Sequence, residues 1–139
     1  MLDWNSTIEN DGGVTYVTLP EGDYDFEVTG FEKGEHPGSA KIPACPKAML
    51  ELTFKTKAGV SVVNENLFLD ESAEWKLCQF FRCIGQRSHG QRYKMDWNKV
   101  LGAKGRAHII VNEWKGDDGV ARRNNRVKTF LDAPEAFEL

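Results

Sequence analysis

The sequence predicts a mainly β domain: a five-stranded barrel with one α-helix between the third and fourth strands. Three observations predict it. Apolar and polar residues alternate with period 2 in five segments, turn-forming Gly, Pro, Asn and Asp separate them, and one stretch at helical spacing lies past the middle. At 139 residues, 40% hydrophobic and 28% charged, the chain suits one core and falls outside the disordered, collagen-like and membrane classes. A single domain over residues 1–134 is expected, with residues 1–13 as an N-terminal extension and 132–139 as a short acidic tail.

The first strong strand is Gly22 to Glu32, where Tyr24, Phe26 and Val28 alternate with Asp23, Asp25, Glu27 and Thr29. Ahead of these five, Val14 to Leu19 is a candidate extra strand, stopped by Pro20-Glu21-Gly22. Pro37, Gly38, Pro43 and Pro46 make residues 34–46 a loop. The next strand, Ala48 to Thr56, turns Leu50, Leu52 and Phe54 inward, and Lys57-Ala58-Gly59 closes a hairpin into a third, Val60 to Leu69. There Leu67 and Leu69 face the core and Asn66 and Phe68 face away. Ser72 is the expected N-cap of a helix whose Ala73, Leu77, Phe80, Phe81 and Ile84 recur at helical spacing until Gly85. After an exposed basic loop and a helical turn at Asp96 to Leu101, Ala103 to Lys115 and Val120 to Leu131 form the last hairpin around Gly116-Asp117-Asp118-Gly119. Its last strand is expected to set Val127, Thr129 and Leu131 on one face and Arg126, Lys128 and Phe130 on the other.

The net charge of −3 conceals a segregation. Residues 1–35 carry nine carboxylates against Lys33 alone, whereas residues 36–131 carry seventeen Lys and Arg against nine Asp and Glu. Screening over roughly 8 to 10 Å lets such a basic region meet a polyanion independently of distant acids. The same cations also suit a solvated strand edge protected against aggregation. Cys45, Cys78 and Cys83 are an odd set without zinc spacing, which points to reduced thiols, and no leader or membrane-spanning run is recognisable, so a cytoplasmic setting is expected. A zinc site on Cys78, Cys83, His89 and a distant fourth group is the weaker alternative to buried thiols and a surface imidazole.

Single-stranded nucleic acid offers a line of phosphates and unstacked base faces, and a site for it interleaves cations with exposed rings. Phe68, Trp114 and Phe130 are the candidate stacking platforms, and Lys41, Lys47, Lys55, Lys115, Arg122, Arg123, Arg126 and Lys128 the candidate phosphate contacts. The commonest alternative for each ring is ordinary core. No Walker loop, Gly-x-Ser-x-Gly elbow or His-Glu-x-x-His is present, so neither an enzyme nor a cofactor is expected. Asp23, Asp25 and Glu27 share a face that could hold metal, but a solvated strand is the simpler reading and no metal site is assigned.

Pro20-Glu21-Gly22-Asp23-Tyr24, Met49-Leu50-Glu51-Leu52-Thr53-Phe54, Asn66-Leu67-Phe68-Leu69, Trp75 to Phe81 with Gly85, and Asn125 to Leu131 together carry a resemblance. Over about residues 15 to 134 the chain resembles a phage and prophage family long catalogued as a domain of unknown function. The loop from His36 to Pro46 departs from that family's shorter Ser/Gly/Asn-rich stretch. The resemblance implies an OB-type barrel that binds single-stranded DNA among phage recombination and replication genes, in a bacterial host's cytoplasm. The element order agrees, since an OB fold places its helix between strands three and four and binds oligonucleotides on strands two and three and the flanking loops. Glu135-Ala136-Phe137-Glu138-Leu139 is similar to the acidic, Phe-bearing tips by which bacterial single-strand-binding proteins recruit partners, which implies contact with a phage recombinase or replisome protein. Self-association into a homo-oligomer stands beside these as a further partner expectation, and the alternative function is a protein-protein adaptor on the same scaffold.

Overall fold

A computed structural model describes residues 1–8 and 12–133. Five antiparallel strands form one sheet: β1 (Gly22–His36), β2 (Cys45–Thr56), β3 (Gly59–Phe68), β4 (Lys104–Lys115) and β5 (Ala121–Leu131), in the spatial order β3-β2-β1-β4-β5. The only α-helix among the described residues, α1 (Glu74–Cys83), lies between β3 and β4, as the sequence predicts. No ladder joins β3 to β5, so the sheet curls without closing. No helix among the described residues is long and apolar enough to cross a membrane.

Two one-residue bulges decide which side chains face inward. In β1 the pairing steps from Val28 opposite Leu52 to Gly30 opposite Glu51, leaving Thr29 extra. Phe26 and Val28 are therefore buried before the step and Phe31 turns inward after it. In the last hairpin Ile109 pairs with Val127 and His108 with Thr129, which makes Lys128 the extra residue. That step inverts the alternation assumed for β5. Phe130, expected outside with Arg126 and Lys128, is 1% exposed and packs edge-on against Phe80 and Phe26 at 5.3 and 6.0 Å between centroids.

The α-helix begins slightly later than the sequence suggests, after a short 3₁₀ turn. Asp70 caps a single 3₁₀ turn (Glu71–Ala73), accepting from the Ser72 N–H at 3.0 Å, and this turn leads into α1, whose own N-cap position is Ala73, not Ser72, with no side-chain cap. The Ser72 hydroxyl, and then the Ser72 N–H, both donating to it, hold the Asp70 carboxyl below the usual carboxylate range. Gly85 ends the helix in the left-handed region at φ 77°, where a side chain would be strained. Leu77, Phe80, Phe81 and Cys83 of α1 meet Phe26, Leu52, Phe54, Ile109 and Phe130 in one core. Trp97 seals its rim, stacked on Phe31 at 5.5 Å and edge-on to Phe81 at 5.1 Å. The end of β5 is tied to the helix as well: Phe130 N–H donates to Gln79, and Asp132 meets Arg82 at 3.0 Å and His89 at 3.2 Å.

Residues 14–19, expected as a strand, make instead a single parallel bridge, Tyr16 with Val60, through Val60 N–H to Thr15 O and Val17 N–H to Val60 O, each 2.9 Å. The segment passes so close to Gly59 that a Cβ there would stand 2.8 Å from Thr15 O. It then reaches buried Leu19, whose N–H and C=O both meet the Asn125 carboxamide at 2.8 Å. Asn125 also accepts from Ser61 Oγ at 2.8 Å and donates to Ile110 O at 3.2 Å. A side chain and a short segment thus bridge the seam that a β3-β5 ladder would close.

Candidate nucleic-acid interface

Directly opposite residues of a ladder share a face, so the last hairpin presents three outward rungs: Trp114 with Arg122, Asn112 with Asn124, and Ile110 with Arg126. Trp114 is 41% exposed, with no ring contact and no hydrogen bond. Arg122 is partly engaged by Asp118 at 2.8 Å, whereas Arg126 and the bulge residue Lys128 are exposed and have no ion-pair partner. Trp114, Arg122 and Arg126 therefore share one face. Arg123 and Lys115 fall on the reverse face, Arg123 at 4.0 Å from Glu113. Phe130, inside the core, is withdrawn as a stacking platform.

The remaining residues named from sequence lie elsewhere. Phe68 is on the outward face of β3, opposite Lys47, but half-buried with its ring 4.7 Å from that of His36. Lys41 is exposed in the loop between β1 and β2. Lys55, at the far end of β2, joins Lys104 and Arg106 around a cavity of about 670 Å³ whose other charges are Asp25, Glu27 and Asp132. The acidic row of β1 separates β2 from the hairpin: Asp25 meets Arg106 at 3.1 Å, and His108 stands 2.7 Å from Asp23 and 3.5 Å from Glu21. A straight groove from Lys55 across β1 to Arg126 would run over carboxylates. β4 supplies basic partners to this acidic group, Arg106 and His108.

The other way round, across the seam, is free of that row. A cleft of about 380 Å³ is lined by Tyr16, Val17 and Thr18, by Val60, Ser61 and Val62, and by Arg123, Asn124 and Asn125. It joins the hairpin to β3, the edge strand. Because Val60 directs its N–H and C=O to the N-terminal segment, alternate residues Val62, Asn64 and Asn66 direct theirs to the same, unpaired side. Outward from this edge stand Val62, Asn64, Asn66 and Phe68, with exposed Met49 beside Asn66 and Tyr16, 70% exposed, at the cleft. Tyr16 and Asn64 were missed from sequence because a ring in an irregular segment and an uncharged amide carry no periodic signal. The unpaired edge depends on strand order, which no local pattern encodes.

Cys45, Cys78 and Cys83 form no disulfide. Burial pushes the Cys83 thiol up to about 11, and its S–H donates to Arg106 O at 3.2 Å. His89 is exposed and paired with Asp132. No group of three or more His, Cys, Asp or Glu able to hold a metal ion occurs among the described residues. The acidic residues Glu135 and Glu138, with Phe137, lie outside the described residues. No protein-family model matches the chain, and no curated protein matches it either.

Proposed function

We propose that this protein binds single-stranded DNA in a sequence-tolerant manner, in the setting of phage recombination and replication that its sequence resemblance implies. The observation that carries the reading is the hairpin face, where an exposed, unstacked Trp114 stands opposite Arg122 with Arg126 two rungs away and no carboxylate between them. A base stacks on the indole while the guanidinium groups meet flanking phosphates, the two contacts that a single strand needs. From there the strand crosses the seam beside Arg123 and Tyr16 and follows the edge of β3 toward Phe68 and Lys47. Lys41 in the loop after β1 and Lys128 at the bulge extend the positive field at the two ends. The role is one of binding rather than catalysis. Partner recruitment through the acidic tail and self-association belong to the same proposal.

Tryptophan fluorescence during titration with oligo(dT) of 10 to 40 nucleotides tests it. Quenching that saturates, and weakens with salt at a log-log slope of about −0.7 per neutralised phosphate, is expected. The absence of any change at low salt with micromolar protein overturns it.

A second reading, an adaptor for protein partners, is favoured by one observation. Trp75 is 64% exposed on α1, and the preceding residue, Glu74, lines a groove together with Leu69, Asp70, Glu71, Leu77 and Met95. Partner capture that survives high salt and nuclease supports this reading.

A further inference from the structure

We infer that the open edge of β3 reads the bases of the bound strand and favours cytosine and adenine, which carry an exocyclic amino group, over thymine; this rests on the single-strand reading above. The edge is chemically distinct from the hairpin. Between Val62 and Phe68 it holds no cation of its own, and Glu65, its one charged residue, turns inward to an ion pair with Lys76. Phosphates therefore gain little there. What the edge does hold is a row of both donors and acceptors: the unpaired N–H and C=O groups of Val62, Asn64 and Asn66, and the carboxamides of Asn64 and Asn66, which make no hydrogen bond. A phosphate only accepts, whereas the edge of a base both donates and accepts.

Spacing and charge narrow the match. Side chains two apart on a strand recur at about 6.8 Å, twice the roughly 3.4 Å rise of stacked bases, so successive bases reaching Asn64 and Asn66 are unstacked. Glu51 stands directly opposite Asn64, and one of its carboxylate oxygens already accepts from Thr29 Oγ1 at 2.8 Å. Its other oxygen and the two carboxamide oxygens accept from the amino group of cytosine or adenine. Thymine presents a carbonyl at the corresponding position, and that carbonyl meets a carboxylate with which it shares no proton.

The clean comparison is oligo(dC) with oligo(dT), 20 nucleotides each, in competition anisotropy at fixed salt and neutral pH, because both pyrimidines stack weakly. The wild-type chain is expected to bind oligo(dC) about fivefold more tightly. In E51A/N64A/N66A, three exposed changes that leave the core untouched, the ratio should fall toward one while oligo(dT) affinity falls by no more than about twofold. Equal wild-type affinities overturn the inference and leave single-strand binding standing. A triple variant that loses both oligomers equally overturns the assignment to these three residues. Failure of the wild type to bind either oligomer removes the functional reading itself and this inference with it.

Discussion

Asn125 is the place where a single side chain holds the domain's seam, and its replacement by alanine has a calculable cost. The carboxamide uses its full hydrogen-bonding capacity on Leu19 N–H, Leu19 O, Ser61 Oγ and Ile110 O. Leu19 and Ser61 are 2% and 5% exposed, so truncation leaves the two Leu19 groups without partners in a buried setting. At about 1 to 3 kcal/mol for each orphaned group, with some relief from water entering through the adjoining cleft, N125A should cost about 3 kcal/mol. That is a large share of the roughly 5 to 15 kcal/mol typical of a domain. Urea unfolding followed by tryptophan fluorescence and far-UV circular dichroism measures it, and hydrogen exchange at Val17 and Leu19 reports whether the N-terminal segment lifts away. Asn124, exposed and held by one 3.3 Å bond to Asn112, is the control, and N124A should cost less than about 0.5 kcal/mol. A loss below about 1 kcal/mol for N125A, or unchanged exchange at Leu19, would refute the clamp.

Further predictions follow from the same geometry. F130A should destabilise by about 3 to 5 kcal/mol, whereas W114A should leave stability within about 0.5 kcal/mol and weaken oligonucleotide binding by roughly 1 to 3 kcal/mol; urea unfolding and titration separate the two roles. R126A/K128A should lower the salt slope of binding by about 1.4 if both residues contact phosphates, and an unchanged slope takes them out of the interface. The unfolded chain releases the Cys83 proton near its ordinary value of 9.0 and the folded chain only near 11. Stability should therefore be intact below pH 9 and fall by at most about 3 kcal/mol as pH rises through that window, a loss absent from C83A. At neutral pH iodoacetamide should label half-exposed Cys78 well before Cys83, as mass spectrometry of the native protein would show.

Alternation and punctuation made the strands, the helix and their order legible, because a half-buried strand must repeat every second residue and a core-facing helix every third or fourth. What alternation cannot announce is the point where it breaks. Lys128 looks like any other outward lysine, yet as the extra residue of a bulge it sends Phe130 into the core and leaves Thr129 and Leu131 only half-buried. Trp114, Arg122 and Arg126 lie on the turn side of that step, so simple alternation holds among them. Lys55 and Phe68 were placed on the correct face of their strands, but their neighbours could not be read. The carboxylates beside Lys55 come from β1, and the ring beside Phe68 comes from His36, both across ladders. Asn125 was quoted from sequence as part of a motif and understood only from structure, since a buried amide differs from a surface one solely by its partners.

The open seam links stability to the proposed binding. A barrel fully closed by a β3-β5 ladder would have no edge, and Asn125 would have no segment to clamp. Here the segment around Tyr16 occupies the edge of β3 only at Val60, so the strand beyond it keeps its donors and acceptors unpaired. Natural edge strands of this length are usually blunted by an outward Lys, a Pro or a bulge. β3 has none of these between Val62 and Phe68, and its outward side chains there are uncharged. An edge kept available in this way is a liability in a resting protein and an asset in one that takes up an extended ligand. The same reasoning sets a condition on the clamp: a variant that loosens the Asn125 contacts frees more of the edge, so N125A should promote self-association at high concentration, and an excess of single-stranded DNA should suppress it.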